Sequence, residues 1–230
     1  MLGLLYDVHG NLAALEAVLE DARGQGVDVF VLGGDYALFG PQPRETLERL
    51  RALDATWIRG NGERWTARPG EAPGDDVVQG AIAASRQALD ADDVGALAAL
   101  PGEVALNGTL YVHGSPQSDV RSFFPTPADD EDELLDGVDA PRVVFGHTHL
   151  PFRRVNARRG IELVNPGSVG MPFDTDPRAA YAIVHDDRRV EHRRIPYDHD
   201  ASAAAVRARF DGAPWTATVA ARIERARFDV

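Results

Sequence analysis

The chain has 230 residues, 44% of them hydrophobic and 26% charged, with a formal net charge of −12. That length suits one well-buried unit, and residues 1–230 are expected to form a single domain, with an acidic surface that disfavours long nucleic acid as a partner. Cysteine is absent and every basic residue is arginine, which removes disulfides, thiol nucleophiles, iron–sulfur clusters, the P-loop lysine and Schiff-base chemistry.

In chain order, Leu2 to Tyr6 reads as a buried strand and not as an export signal. No apolar run approaches the roughly 20 residues needed to cross a bilayer, so a cytoplasmic protein without a membrane partner is expected. Asn11 caps a helix whose apolar positions Leu12, Leu15, Val18, Leu19 and Ala22 recur at helical spacing, and Gly24 and Gly26 end it. Val27 to Leu32 is an unbroken apolar run, as in a strand covered on both faces. Pro43 opens a second helix with Leu47, Leu50 and Leu53 on one side, and Thr56 to Arg59 reads as a third strand. This βαβαβ order implies parallel strands with right-handed crossovers.

Residues 66–76 read as a loop, and Val77 to Leu100 as helix broken near Asp92. Asn107-Gly108 predicts a tight hairpin between Val104–Leu106 and Leu110–Val112. Val143 to Phe145 is a short buried strand, Phe152–Val155 and Ile161–Val164 a second hairpin, and Ala180–Val184 and Val190–Ile195 further strands. Ala201 to Phe210 and the stretch after Trp215 are helical. The second half is expected to supply mostly antiparallel strands, with two sheets face to face and helices outside.

Two charged clusters and three histidines have plain readings. Arg153, Arg154, Arg158 and Arg159 read as exposed strand ends, with a hold on an anionic ligand as the alternative. The acidic run Asp129 to Glu133 reads as a solvated helix start. His185, His192 and His199 read as surface residues.

The chemistry lies in Asp7-Val8-His9, Gly34-Asp35, Gly60-Asn61, His113-Gly114 and Gly146-His147-Thr148-His149. Each fragment follows a short apolar strand, and ligands collect outside the carboxyl ends of strands in open α/β sheets. Together they supply two Asp, one Asn and four His, a set that suits a pair of divalent cations: imidazole fits zinc and iron, and oxygen ligands fit manganese. Asp35 has two oxygens to share between two ions. Such a pair activates water and clamps a phosphoryl group for in-line displacement.

The ordered series DVHGN, GGDYALFGP, GNGE, VHGSP and GHTH resembles the calcineurin-like metallophosphoesterases, and NPGSVGMPFDTDPRAAY resembles their compact bacterial and archaeal branch. The resemblance runs over roughly residues 1 to 195. It implies an α/β (α+β) chain folded as a four-layer αββα sandwich of two mixed β-sheets, the metallo-dependent phosphatase-like fold. It also implies a binuclear site, with Asp7, His9, Asp35 and His149 on one metal and Asp35, Asn61, His113 and His147 on the other. The two ions are expected to be manganese, iron or zinc. A metal-bridging hydroxide is the implied nucleophile, and no side chain is assigned as a catalytic residue beyond it. The expected activity is hydrolysis of phosphodiester or nucleotide-type phosphoanhydride or phosphomonoester bonds in a small phosphorylated substrate.

Many relatives carry a general-acid histidine where this chain has Gly62, which leaves Glu63 without an adjacent partner to orient. Such an enzyme should favour leaving groups that need little protonation. Trp65, Phe123 and Phe124 are candidate substrate contacts, with plain packing as the simpler reading of each. Tyr6 reads as a partly buried aromatic below the site. A catalytically inactive scaffold of the same fold is the alternative, disfavoured because all seven ligand positions are filled. An amidohydrolase reading of His-x-His fits poorly, since that chemistry usually needs a longer barrel.

Overall fold

A computed structural model describes all of residues 1–230. Its strands are β1 (Leu2–Leu5), β2 (Val29–Leu32), β3 (Asp54–Trp57), β4 (Glu103–Leu106), β5 (Thr109–Val112), β6 (Arg142–Val144), β7 (Phe152–Val155), β8 (Glu162–Asn165), β9 (Ala179–Val184) and β10 (Val190–Ile195). Its helices are α1 (Leu12–Gly24), α2 (Pro43–Arg51), α3 (Asn61–Ala67), α4 (Asp76–Ala88), α5 (Ala91–Ala98), α6 (Glu131–Leu134), α7 (His199–Arg209) and α8 (Pro214–Arg225).

The strands make two mixed five-stranded sheets, ordered β10-β9-β1-β2-β3 and β4-β5-β6-β8-β7. In the first, β1, β2 and β3 run parallel, and β9 joins β1 antiparallel. In the second, β5, β6 and β8 are parallel, and only the edges β4 and β7 are antiparallel. The second half of the chain supplies mostly antiparallel pairings, as expected: β7 with β8, β9 with β1 and β10 with β9, while β6 runs parallel to both its neighbours. In the second sheet the long segments after His113 and Phe145 cross over and return in the same direction, and the turns after Leu106 and Val155 are hairpins; the turn after Val184 makes a third hairpin in the first sheet.

Alternation along each strand separates the faces. Leu4, Val31, Tyr111, Val144 and Val164 meet between the sheets. Leu5 and Leu32 point the other way, onto Leu15, Val18 and Leu19 of α1 and Leu47 and Leu50 of α2. Val143 and Leu163 face outward onto Leu134, Leu135 and Phe145. A further cluster joins Trp65 of α3 and Ile82 of α4 to Val206 of α7 and Trp215, Val219 and Ile223 of α8. Burial of Val219 and Ile223, roughly 1.5–3 kcal/mol each, seats α8 against α7 and α4. No helix is long and apolar enough to cross a membrane.

Several local features depart from the sequence reading. α3 occupies a stretch whose first half carried no apolar stripe. It forms because the Glu63 carboxylate reaches back to the Gly60 N–H at 2.8 Å. The break in the 77–100 helix falls at Leu89-Asp90, where Asp90 caps α5 by accepting from Asp93 N at 2.8 Å. Asn107 and Gly108 both have positive φ, 49° and 72°, as the tight hairpin requires.

The arginine cluster and the acidic run are not loose surface: Arg154 pairs with Glu131, Arg158 with Asp132, Arg159 with Asp136 and Arg153 with Glu162. Glu131 is buried, because it also accepts from Asn156 Nδ2 at 2.6 Å. His192 is part-buried, with Nε2 2.8 Å from the Asn165 carbonyl.

Candidate metal centre

Asp7 follows β1, Asp35 follows β2, Asn61 opens α3 after β3, His113 follows β5, and His147 and His149 follow β6. The carboxyl ends of the parallel strands in both sheets thus converge on one edge. Five of these residues sit in the left-handed region: Asp7 (φ 52°), His9 (50°), Asp35 (54°), His147 (65°) and His149 (57°). Each such residue costs roughly 1–2 kcal/mol of backbone strain. Cross-links between the turns hold them there, among them His9 N to Asp35 O (2.9 Å), Gly10 N to Tyr36 O (2.7 Å) and Gly146 N to His113 O (2.7 Å). Gly34 (φ 98°) lets the turns close, since a Cβ there would lie 2.6 Å from Gly60 N and 2.7 Å from the His113 ring.

The histidine tautomers follow from their partners. His9 Nδ1 lies 3.0 Å from Leu38 O, His149 Nδ1 2.6 Å from Met171 O, and His113 Nδ1 2.8 Å from Gly33 O. A carbonyl only accepts, so each Nδ1 carries the proton and each Nε2 presents a lone pair. Those lone pairs face other acceptors. His9 Nε2 is 3.0 Å from His149 Nε2, and His113 Nε2 is 2.9 Å from Asn61 Oδ1 and 3.5 Å from Asp35 Oδ1. The same Asn61 atom lies 2.9 Å from His147 Nδ1. Asp7 Oδ1 is buried with no hydrogen-bond partner, 3.5 Å from His149 Nε2 and 3.9 Å from His113 Nε2.

Turning the Asn61 amide over would supply one donor to His113, His147 and the Asp119 carbonyl. It would do nothing for His9, His149 or Asp7. Buried lone pairs aimed at one another are costly, and a cation between them relieves all of these contacts at once. The donor set therefore fits divalent metal. Two groups come together tightly: Asp7 with His9 and His149, and Asp7 with Asp35 and His113.

The electrostatics agree. Burial, reinforced by His149, pulls His9 down to about 3, and burial with His113 beside it pulls His147 down to about 4. Both rings are neutral at ordinary pH, the form that ligates metal. Burial pushes the Asp35 carboxyl up to about 7, with Glu63 and Asp7 adding repulsion. Burial also opposes charge on His113 and Asp7, but it is outweighed: the carboxylates of Asp35 and Asp7 raise His113, and the surrounding histidines, His149 foremost, lower Asp7.

Two neighbours take roles that sequence reasoning missed. Glu63 does have something to orient. Its buried carboxylate accepts from Asp35 N (2.9 Å), Tyr36 N (2.8 Å) and Gly60 N (2.8 Å), tying the turn that carries Asp35 to the turn that carries Asn61. The spacing Gly60-x-x-Glu63, that of a helix cap, was the available signal. Ser168 donates to Asp7 O at 2.7 Å and accepts from Met171 N at 2.8 Å, fixing the carbonyl that holds His149. Gly62 donates its N–H to Asp35 Oδ1 at 2.7 Å, and a Cβ there would lie 2.8 Å from that oxygen. A side chain at 62 therefore requires this carboxylate to move. Tyr6 is wholly buried below the site, its hydroxyl 3.4 Å from Val144 O.

A cavity of about 780 Å³ opens over the cluster. Trp65 and Phe124 line it, and Trp65 also packs in the cluster with α4, α7 and α8. Phe123 does not: it is 1% exposed and packs on Phe145 at 4.8 Å. The two neighbours part company in this irregular segment: Phe124 faces the cavity and Phe123 the core. Phe173, unremarked in the sequence, stacks on His149 at 4.3 Å. The Trp65 indole N–H is buried with no partner.

Residues 1–189 match the calcineurin-like phosphoesterase superfamily domain, and the chain belongs to that superfamily. Among individual relatives, it is 30% identical to a metallophosphoesterase from Sphaerobacter thermophilus, whose crystal structure superposes with a TM-score of 0.82 over 98% of each chain. A hypothetical protein from Pyrococcus horikoshii shares the fold at 18% identity, with a TM-score of 0.82 over 95% of this chain and 98% of its own. An uncharacterized protein of Methanocaldococcus jannaschii is 28% identical, the match covering 86% of this chain and 88% of that one.

Proposed function

We propose that this chain is a metal-dependent phosphoesterase, acting on phosphodiesters or nucleotide-type phosphoanhydrides of small substrates. The observation that carries this reading is the buried convergence of unprotonated acceptors, above all His9 Nε2 against His149 Nε2 at 3.0 Å beside the partnerless Asp7 Oδ1. Asp7, His9, Asp35 and His149 would hold one divalent cation. Asp35, Asn61, His113 and His147 would hold a second. Asp35 suits the shared position, with Oδ2 4.0 Å from His9 and Oδ1 3.5 Å from His113. Bound divalent cations supply Lewis acidity toward water and toward phosphoryl oxygens.

The chain's own groups do the rest. The carbonyls of Leu38, Met171 and Gly33 keep the protons on Nδ1 and aim each Nε2 inward. The Glu63 carboxylate fixes the backbone of both oxygen ligands it bridges. The aromatic walls, Trp65, Phe124 and Phe173, offer flat apolar surface to a leaving group. Gly62 brings no side chain to protonate that leaving group. General acid catalysis is worth about 10²–10⁴-fold, so substrates with good leaving groups are favoured.

Turnover of bis(p-nitrophenyl) phosphate and of an alkyl phosphomonoester, measured with manganese, zinc and iron in turn, tests this reading. Aryl diester hydrolysis exceeding the alkyl monoester by at least about 10²-fold supports it. Bound metal without turnover of any phosphate ester overturns it, and equal rates on both substrates overturn the leaving-group preference.

A further inference from the structure

Two arginines line the cavity, Arg121 and Arg222, and they differ in one respect. Arg121 is committed to Asp130 at 2.7 Å and Glu133 at 3.6 Å. Arg222, on the last turn of α8, makes no ion pair. Its one hydrogen bond runs from Nε to the Phe228 carbonyl at 3.1 Å, and its guanidinium lies over the Phe228 ring at 4.2 Å. That leaves the Nη donors free, on a side chain already held flat against an aromatic face.

The surroundings are built, not frayed. Ala226 closes α8 in the left-handed conformation and is fully buried, and its carbonyl accepts from Thr175 N at 2.9 Å. Phe228 meets Phe173 edge-on at 5.5 Å, and Phe173 stacks on His149. A continuous aromatic path thus leads from the ligand cluster to Arg222. Burial without a paired carboxylate pulls the Arg222 guanidinium below its ordinary value, Asp75 opposing only at a distance. The cavity is also lined by Phe39, Trp65, Phe124 and Phe173 and by the carboxylates of Asp75, Asp130 and Asp229, of which Asp130 is paired with Arg121 and Asp229 with Arg227; Arg222, half-buried and in no ion pair, is poised for an anion that arrives with the ligand.

Given the phosphoesterase reading above, on which this rests, we infer that Arg222 and Phe228 form a second anion subsite of the same cavity. It takes a phosphate group carried by the substrate in addition to the phosphoryl centre that is attacked. The substrate class is then a phosphodiester or phosphoanhydride with an aromatic or heteroaromatic portion and a second phosphate, as in a phosphorylated dinucleotide. Both residues lie beyond residues 1–189, the part of the chain matched to the superfamily domain, so α8 and its tail add this specificity to a shared hydrolytic core.

The test compares two dinucleotides that differ by one group, TpT and its 5′-phosphorylated form pTpT, on the manganese-loaded protein. Wild type is expected to prefer pTpT in kcat/KM by about tenfold or more, the effect of a charge-assisted bond to phosphate, mostly through KM. Arg222→Gln is expected to bring that ratio close to one, and Arg222→Lys to restore part of it. A ratio unchanged in Arg222→Gln overturns the subsite. If neither dinucleotide is cleaved while bis(p-nitrophenyl) phosphate is, the sugar alkoxide is too poor a leaving group and calorimetry decides the subsite; if no phosphate ester is cleaved, the phosphoesterase reading fails separately, and calorimetry again decides the subsite. Wild type then binds adenosine 3′,5′-bisphosphate about tenfold tighter than AMP, with the preference lost in Arg222→Gln. Equal affinities in wild type overturn it.

Discussion

His9 and His149, 140 residues apart in the chain, point unprotonated ring nitrogens at each other across 3.0 Å. Each is locked that way by a backbone carbonyl on its far side, Leu38 for one and Met171 for the other. The pair is repulsive alone and cooperative around a cation. Metal should therefore act as a fold stabiliser: manganese at a hundred times its Kd is expected to add about 2.7 kcal/mol to unfolding. His149→Ala should lose most of that gain, and it should cost less stability in the metal-free protein than in the loaded one. Denaturant unfolding of both proteins with and without manganese checks this. An equal gain in wild type and variant would contradict it.

Glu63 connects the turns that carry Asp35 and Asn61. In Glu63→Gln one carboxylate oxygen becomes an NH2 group, and it then faces either Tyr36 N or the pair Asp35 N and Gly60 N. Donor against buried donor costs about 2 kcal/mol. The variant should be destabilised by that order without metal and should also bind metal more weakly, because the Asp35 turn relaxes. Unfolding and metal titration of the same preparation measure both. Loss of stability with metal affinity intact would confine Glu63 to a folding role.

Much of this was legible in the chain. Apolar runs ending in Asp7, Asp35, His113 and His147 placed the strands and, at their ends, the residues that converge in the cluster, because short buried strands have little sequence freedom. Glu63, Ser168 and Phe173 were not legible in their roles. Their partners are backbone atoms or rings brought close only by tertiary folding, and backbone carries no sequence signature. Phe123 and Phe124 were indistinguishable for the same reason: adjacent identical residues are sorted to core and cavity by the register of an irregular segment. α3 was missed because it is stabilised by one carboxylate cap and not by an apolar stripe.

Trp65 carries a buried indole N–H with no partner, on the cavity wall. Trp65→Phe removes that orphan donor while keeping an aromatic ring. The substitution should be neutral or stabilising by up to about 1 kcal/mol, whereas Trp65→Ala should cost roughly 3–5 kcal/mol. KM for an aryl diester should rise severalfold in Trp65→Phe if the N–H serves the ligand. Thermal unfolding and steady-state kinetics of the two variants separate packing from binding.

Asp21 on α1 accepts from Arg193 Nε (2.6 Å) and Nη2 (2.8 Å) and from the Tyr181 hydroxyl (2.5 Å), clamping the helix to β9 and β10. The Arg193 hydrogen bonds lower its pKa, outweighing burial, which raises it, with the Tyr181 hydroxyl adding to the lowering. A lowered carboxylate stabilises the fold above its unfolded value of about 3.9, and that contribution is lost as pH falls through the folded value. Wild type should therefore exceed Asp21→Asn in stability at pH near 6, with the gap closing as the pH drops below about 3.9. Urea unfolding at a series of pH values checks it. A gap that widens on acidification would contradict the sign.

The most direct measurement of the central claim is metal stoichiometry and position: chelator-stripped protein reloaded with manganese, counted by elemental analysis and located by anomalous scattering. Two ions per chain are expected, both within the cluster of Asp7, His9, Asp35, Asn61, His113, His147 and His149, falling to one or none in Asp35→Ala. Fewer than one ion per chain, or ions seated elsewhere, would contradict it.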